Sequence, residues 1–218
     1  MVDEAQQKKF EHMTREPVNH LVRQLAAPTI VSMLITALYN IADTFFVGRL
    51  GPSATGAIGV IFSLMALIQA VGFGFGHGSG NYISRKLGEK NIEEASIMAM
   101  VGFVSSFFFG LLILAVGMFT MSPLTMFLGS TTTIRPYAEQ YMFYILLGAP
   151  FFASSLTLNN QLRLEGNAQK AMFGIASGAI LNCFLDPLFI FVFNMGVSGA
   201  GLSTFISQVA SFLFLLYE

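Results

Sequence analysis

The chain has no tryptophan, a single cysteine and few charges: Asp, Glu, Lys and Arg make up only 11% of its 218 residues. A soluble domain carries about 25% charged residues. That scarcity, with 54% hydrophobic residues and a mean hydropathy of +0.67, excludes an ordinary water-soluble globule and describes a membrane protein. The lone Cys183 excludes an internal disulfide and a cysteine metal cluster, and in its apolar run it reads as a small buried hydrophobe. A net charge of −1 speaks against nucleic acid as a partner. The first twenty residues are polar and lack the apolar core of a signal peptide, which leaves insertion to the first hydrophobic helix. The most informative scarcity is of base at membrane depth. Asp43 and Asp186 sit inside apolar stretches that contain no Lys or Arg to neutralise them. A carboxylate at bilayer depth costs about 2.5–3.5 kcal/mol on insertion scales, so an unpaired one marks an ion or proton site.

Spanning a bilayer takes roughly 20 apolar residues. Six stretches qualify, at about 25–48, 54–83, 95–120, 136–162, 170–193 and 198–217, separated by GRLGPSATG, RKLGEKNIEE, SPLTMFLGSTTTIRP, RLEGNAQK and NMGVSG. The expected fold class is therefore all-α: a polytopic six-helix lobe at 25–218 behind a cytoplasmic segment at 1–24, which either lies on the membrane surface or is solvated. Basic residues set the orientation. With the N-terminus inside, the inner segments hold Lys8, Lys9, Arg15, Arg23, Arg85, Lys86, Lys90, Arg163 and Lys170, against Arg49 and Arg135 outside. Both chain ends are then cytoplasmic.

Depth brings the polar residues together. Asp43 lies roughly 8 Å below the outer end of the first span, with Tyr39 and Asn40 four and three residues earlier on its face. Asp186 lies roughly 10 Å below the outer end of the fifth span, with Asn182 one turn before it. Pro187 follows and frees a backbone carbonyl. On the sixth span Thr204, sharing a face with Ala200, falls roughly 9 Å below the outer edge. Three helices thus carry hard oxygen ligands to one level, suited to Na⁺ or to a hydrogen-bonded proton; the bland alternative is a polar clasp between helices. Elsewhere, Gln69 either lines a cavity or caps a helix contact. Asn159 begins the run Asn159–Asn160–Gln161, an expected interior face meeting water and a candidate cavity lining. Tyr137, Tyr141 and Tyr144 fit interfacial anchors at least as well as a binding site.

The stretch GFGFGHGSGN at 72–81 matches neither a dinucleotide loop nor a nucleophile elbow. Gly72, Gly76 and Gly80 form one row at a spacing of four, with Gly74 and Gly78 as a second. Such rows let helix backbones approach closely or pivot. His77 beside them is a packing residue or a proton relay.

LAAPTIVSMLITALYNIADTFFVGRLG, GFGFGHGSGNYISRKLGEKNIEEA, NNQLRLEGNAQKAM, ILNCFLDPLFIF and GVSGAGLSTFISQ follow one another in the chain. In this order they resemble the N-terminal half of a prokaryotic transporter of the multidrug and toxic compound extrusion (MATE) family. The resemblance implies two six-helix lobes related by an axis along the membrane normal. It implies export of cationic or amphipathic compounds across the inner membrane in exchange for Na⁺ or H⁺, with no other cofactor and no enzymatic activity. The family's N-lobe cation site matches Asp43, Asn182, Asp186 and Thr204, with Ala200 nearby. Na⁺ would sit on Asp43 and Asp186. The implied partners are membrane lipid, a drug-like substrate and a second six-helix lobe that this chain lacks. Three other readings compete. A lipid-linked-sugar flippase of the same superfamily predicts basic cavity residues, absent from the spans. An intramembrane hydrolase would use Ser79, His77 or the two acids, leaving Asn182 and Thr204 without a role. The third is a passive channel or structural protein.

Overall fold

In hydrocarbon every backbone N–H and C=O must find its partner within the segment, and apolar runs of this length do so as α-helices. The computed structural model describes residues 17–218, and every regular element among them is helical. Helix α1 spans Val18–Gly48, α2 Pro52–Gly88, α3 Ile92–Phe119, α4 Met121–Phe127, α5 Arg135–Leu164, α6 Ala168–Pro187 and α7 Val197–Tyr217. All but α4 are long and apolar enough to cross a membrane; α6 does so together with a π-helical turn, Leu188–Val192, that continues it. The expected all-α architecture with six spans is present.

Local chemistry sets the helix ends. The Asn91 side chain accepts a hydrogen bond from the Glu94 N–H (3.2 Å), and Glu93 and Glu94 occupy the positive first turn of α3. Pro52 opens α2, where its missing N–H costs nothing, directly after Gly51 at φ +112°. Lys86 in the last turn of α2 pairs with Glu89 (3.0 Å) and Glu94 (2.9 Å), fastening the α2–α3 turn.

One helix starts earlier than its expected span, and one connection is corrected. Helix α1 begins at Val18, so the end of the segment expected at 1–24 is helical; residues 1–16, with Lys8, Lys9 and Arg15, lie outside the described residues. The run SPLTMFLGSTTTIRP, expected to be only a connection, contains α4. Arg135 at the start of α5 donates to Ser122 of α4 and pairs with Glu139 (2.8 Å), tying the short helix to the long one.

Helix α5 is the most heavily buried span and packs on α2, α3 and α7; α1 packs on α6, and α6 on α7. The α2–α5 contact explains one glycine row. A side chain at Gly72 would place its Cβ 2.8 Å from the Ala153 carbonyl, and at Gly76 2.9 Å from Asn160 Cβ. At Gly80 it would lie 2.5 Å from Leu164. The second row does no such work: nothing lies within 4 Å of a Cβ at Gly74 or Gly78. His77, on that open side, is exposed, and its Nδ1 lies 3.0 Å from the Phe73 carbonyl.

Asn159 sits in a helix contact. It is 1% exposed, donates to the Ala171 carbonyl on α6 (2.6 Å) and accepts from Arg163 (2.9 Å). Asn160 bonds the Leu156 carbonyl (2.8 Å) and abuts Gly76. Gln161 donates to Ser79 on α2 (2.8 Å) and to the Ala99 carbonyl on α3 (3.1 Å). Successive helix positions point about 100° apart, so three polar neighbours serve three different helices. Ser79, which also donates to the Phe75 carbonyl (2.6 Å), is thereby part of a polar knot and has no histidine partner.

Candidate cation site

The two acids are buried at the meeting of α1, α6 and α7, with Asp43 6% exposed and Asp186 fully enclosed. Asp186 and Asn182 stand one turn apart on α6 and face Ser203 and Thr204 of α7. Ser203 Oγ donates to Asp186 Oδ1. With its NH₂ turned to the carboxylate, the Asn182 amide donates to Asp186 Oδ2 (2.9 Å), and its carbonyl faces Ser203 Oγ (3.1 Å) and the Thr204 N–H (3.2 Å). In the opposite orientation the NH₂ faces Ser203 Oγ (3.1 Å) and Thr204 Oγ1 (3.5 Å). The first satisfies a charged acceptor with a donor, and we adopt it for the ionised carboxylate.

Ala200 is fully buried, and it acts through its backbone. Its carbonyl accepts from Thr204 Oγ1 (2.9 Å), fixing that hydroxyl one turn further along α7, and lies 3.0 Å from Ser203 Oγ, whose single proton goes to Asp186. Asp43 reaches the cluster from α1, which packs on α6, and its carboxyl lies in the field of Asp186. Unlike Asp186, it has an orphaned atom: Oδ1 is buried and receives no hydrogen bond. Among the described residues neither acid forms an ion pair.

The structure adds two residues to those the sequence assembled. Ser203 is one; its place beside Thr204 at the same depth was the available signal. Tyr141 of α5 is the other. It is fully buried, lies near Thr204 and within the field of both acids, and its hydroxyl lacks a hydrogen-bond partner. Of the two readings open for it, anchor or site residue, its burial favours the second, whereas Tyr137, exposed on the same helix, still fits an anchor. Tyr39, half-buried on α1, shares the same surroundings. Asn40 does not: it is exposed, so it leaves the buried face of Asp43 that helical spacing assigned to it. Gln69 is half-buried on α2 and makes no hydrogen bond to the cluster; Asn159 belongs to the α5–α6 clasp.

Chemically, the site offers two carboxylates, two hydroxyls and an amide, with one carboxylate oxygen short of a donor. Hard oxygens in this number fit an alkali cation, and two close acids fit a shared proton. No group of three His, Cys, Asp or Glu exists among the described residues, so the arrangement does not suit a transition metal.

The chain is 28% identical over 210 residues to the multidrug export protein MepA of Staphylococcus aureus, covering 96% of this chain and 47% of that protein. Among solved structures it superposes at a TM-score of 0.89 and 30% identity on the outward-facing conformation of a multidrug resistance MATE family transporter of the MOP superfamily. The match covers 94% of this chain and 46% of that one. The same values hold for a MOP superfamily transporter from Pyrococcus furiosus, described as having a binding pocket of reverse polarity that suggests a different function. The chain thus spans about half the length of the relatives it matches. Residues 28–188 match the MatE family, and with the six spans and this overlap of fold, the chain belongs to that family of membrane transporters.

Proposed function

We propose that this chain is the cation-binding N-lobe of a secondary active antiporter that exports cationic or amphipathic compounds in exchange for Na⁺ or H⁺. The observation that carries the reading is the pair of buried carboxylates without an ion-pair partner, one with an orphaned oxygen, faced by hydroxyls and an amide. A clasp that only held helices together would gain nothing from a second acid and an unbonded oxygen.

Each residue has a distinct task. Ser203 and Asn182 hold the Asp186 carboxylate in place, and the Ala200 carbonyl holds the Thr204 hydroxyl. Asp43 brings the free oxygen from α1, a helix buried far less than α5. A bound cation would supply the positive charge that lets both acids remain ionised side by side. Five side chains are more than a proton requires, which favours Na⁺; a proton then competes for the same acids when pH falls. Movement of α1 and α6 relative to each other would make or break the site, which links its occupancy to the rocking of two lobes. Exposed apolar side chains of α1 and α3, such as Leu38, Ile41 and Phe108, would face lipid or the second lobe. The excess of basic residues in the segments at one end of the spans supports cytoplasmic chain ends.

The test is Na⁺ binding to purified protein by isothermal titration across pH. Binding should weaken as pH drops and vanish in Asp186→Asn and Asp43→Asn. In cells carrying the complete transporter, each variant should abolish export while remaining in the membrane; full drug resistance with either would refute the assignment.

A further inference from the structure

The helix that carries Asp186 does not end as an α-helix. After Pro187 it widens into the π-turn, with the Phe193 N–H bonded to the Leu188 carbonyl (3.0 Å), and the chain returns through Asn194 at φ +53° and Gly196 at φ +59°. Single π-turns concentrate at functional sites, where they re-aim a backbone. Here the turn packs on α7, with Gly199 in close backbone contact beneath it. A Cβ there would lie 2.7 Å from the carbonyl carbon of Phe189, 2.8 Å from its oxygen and 3.0 Å from the Ile190 nitrogen. All three are backbone atoms, which cannot rotate aside.

Gly199 and Phe189 form the outermost rung of an antiparallel ladder between α6 and α7. The next rung inward is Asp186 with Ser203, then Asn182 with Ser203 and Thr204. Further in, Gly178 abuts the Ser207 carbonyl and Ser211 Cβ (both 2.9 Å), and the Ser211 hydroxyl bonds the Gly174 carbonyl (2.8 Å). The close approach at Gly199 therefore sets the separation of the two helices one turn from the oxygens.

We propose that Gly199, acting through the π-turn, is a specificity-determining positioning residue that keeps the Asp186–Asn182–Ser203–Thr204 oxygens close enough for Na⁺ and too close for a larger alkali cation. The inference rests on the reading of this cluster as a cation site. A methyl group at 199 has to find ordinary van der Waals distance, so α7 moves off the π-turn by about half an ångström or more. Ser203 and Thr204 move with it, away from Asp186 and Asn182. Selection among hard cations depends on cavity size and ligand rigidity, and a widened cage favours K⁺ over Na⁺. Pro187→Ala is a second lever: the new N–H bonds the Cys183 carbonyl, and loss of the ring changes how α6 enters the π-turn and so where the Phe189 carbonyl stands against Gly199.

The experiment is direct titration of Na⁺ and of K⁺ into the purified protein at fixed alkaline pH, with helical content and melting followed by circular dichroism. The wild type should prefer Na⁺. Gly199→Ala should lower the Na⁺/K⁺ affinity ratio at least fivefold in a folded protein, and Pro187→Ala should change the same ratio. Gly174→Ala, which crowds Leu215 between the same helices two turns from Asn182, should cost melting temperature and leave the ratio within twofold. An unchanged ratio in a folded Gly199→Ala protein overturns the proposal. So does an equal shift in Gly174→Ala, and so, where Gly199→Ala does not fold, does an unchanged ratio in Pro187→Ala. Failure of the underlying reading looks different: wild-type protein that binds neither cation, or binds Na⁺ independently of Asp186.

Discussion

The two glycine rows of α2 should respond to the same substitution with opposite sign. At Gly76 a methyl group would lie 2.9 Å from Asn160 Cβ and 3.1 Å from both Asn160 Nδ2 and the Thr157 Cα. The α-carbon can yield only if α5 shifts as a whole, and α5 is the helix on which α2, α3 and α7 all pack. Overpacking of this kind costs about 1–3 kcal/mol. The gain in helix propensity from Gly to Ala, about 1 kcal/mol at most, offsets part of it. Gly74, half a turn away, meets nothing within 4 Å, so there the propensity gain stands alone. For a chain of this size 1 kcal/mol moves the melting point by about 2–4 °C. Gly76→Ala should therefore melt several degrees below the wild type, and Gly74→Ala at or above it.

Circular dichroism at 222 nm suits the assay, since the regular structure is all helix and the chain has no tryptophan for intrinsic fluorescence. Membrane proteins often unfold irreversibly, so the three proteins are compared at one scan rate in one detergent. Equal melting points for Gly76→Ala and Gly74→Ala would refute the α2–α5 geometry and the division of the glycines into a packed and an open row. A larger residue sharpens the contrast, as Gly76→Leu should prevent assembly while Gly74→Leu is tolerated.

Other substitutions separate structural from functional polar groups. Tyr141→Phe removes a buried hydroxyl that has no hydrogen-bond partner, so it should leave melting unchanged or raise it while weakening Na⁺ binding measured by titration. Ser79→Ala removes one of the two acceptors of Gln161 and should cost about 1 kcal/mol in a denaturation midpoint without affecting export; an inactive, well-folded protein would revive the hydrolase reading. Asn159→Leu removes the side-chain donor that ties α5 to the Ala171 carbonyl, which keeps its bond within α6, and takes away an acceptor of Arg163; it should lower stability by about 1 kcal/mol in the same assay, with Na⁺ affinity unchanged.

Much of this fold was legible because the bilayer permits so few alternatives: long apolar runs become helices, and their punctuation marks the turns. The α4 helix was not legible, since seven residues around Pro123 give no periodicity, and what holds it is tertiary: Met121 and Leu124 pack on the core and Arg135 reaches it from another element. The start of α1 at Val18 was missed for a related reason: its first turn is polar and helical all the same. The π-turn could be suspected from Pro187, but its width depends on Gly199 beneath it.

Counting residues from the membrane edge gathered Asp43, Asn182, Asp186 and Thr204 from three helices because rise per residue is fixed, whatever the packing. The same count places Tyr141 six residues into α5, at matching depth, yet tyrosine at that level also suits the membrane interface. Tyr141 lies on the stripe of Ala138, Ile145 and Ala149, all buried; Tyr137 shares that face one turn earlier, but in the first turn of α5, where the helix end leaves it exposed. Direction around the helix undoes the expected water-facing run at 159–161, since three consecutive positions cannot face one cavity. What no stripe reveals is that α1 carries a buried acid on a helix with little other buried surface. Of its described residues only Ser32, Asp43 and Val47 are buried, so inside this lobe the helix that positions the orphaned oxygen is held chiefly by its contact with α6, and its outer apolar face is left for lipid or a second lobe. A clasp built for stability would place its acid on α5. An acid on a helix that also faces outward makes site geometry depend on what that helix packs against, the dependence that the proposed coupling would use.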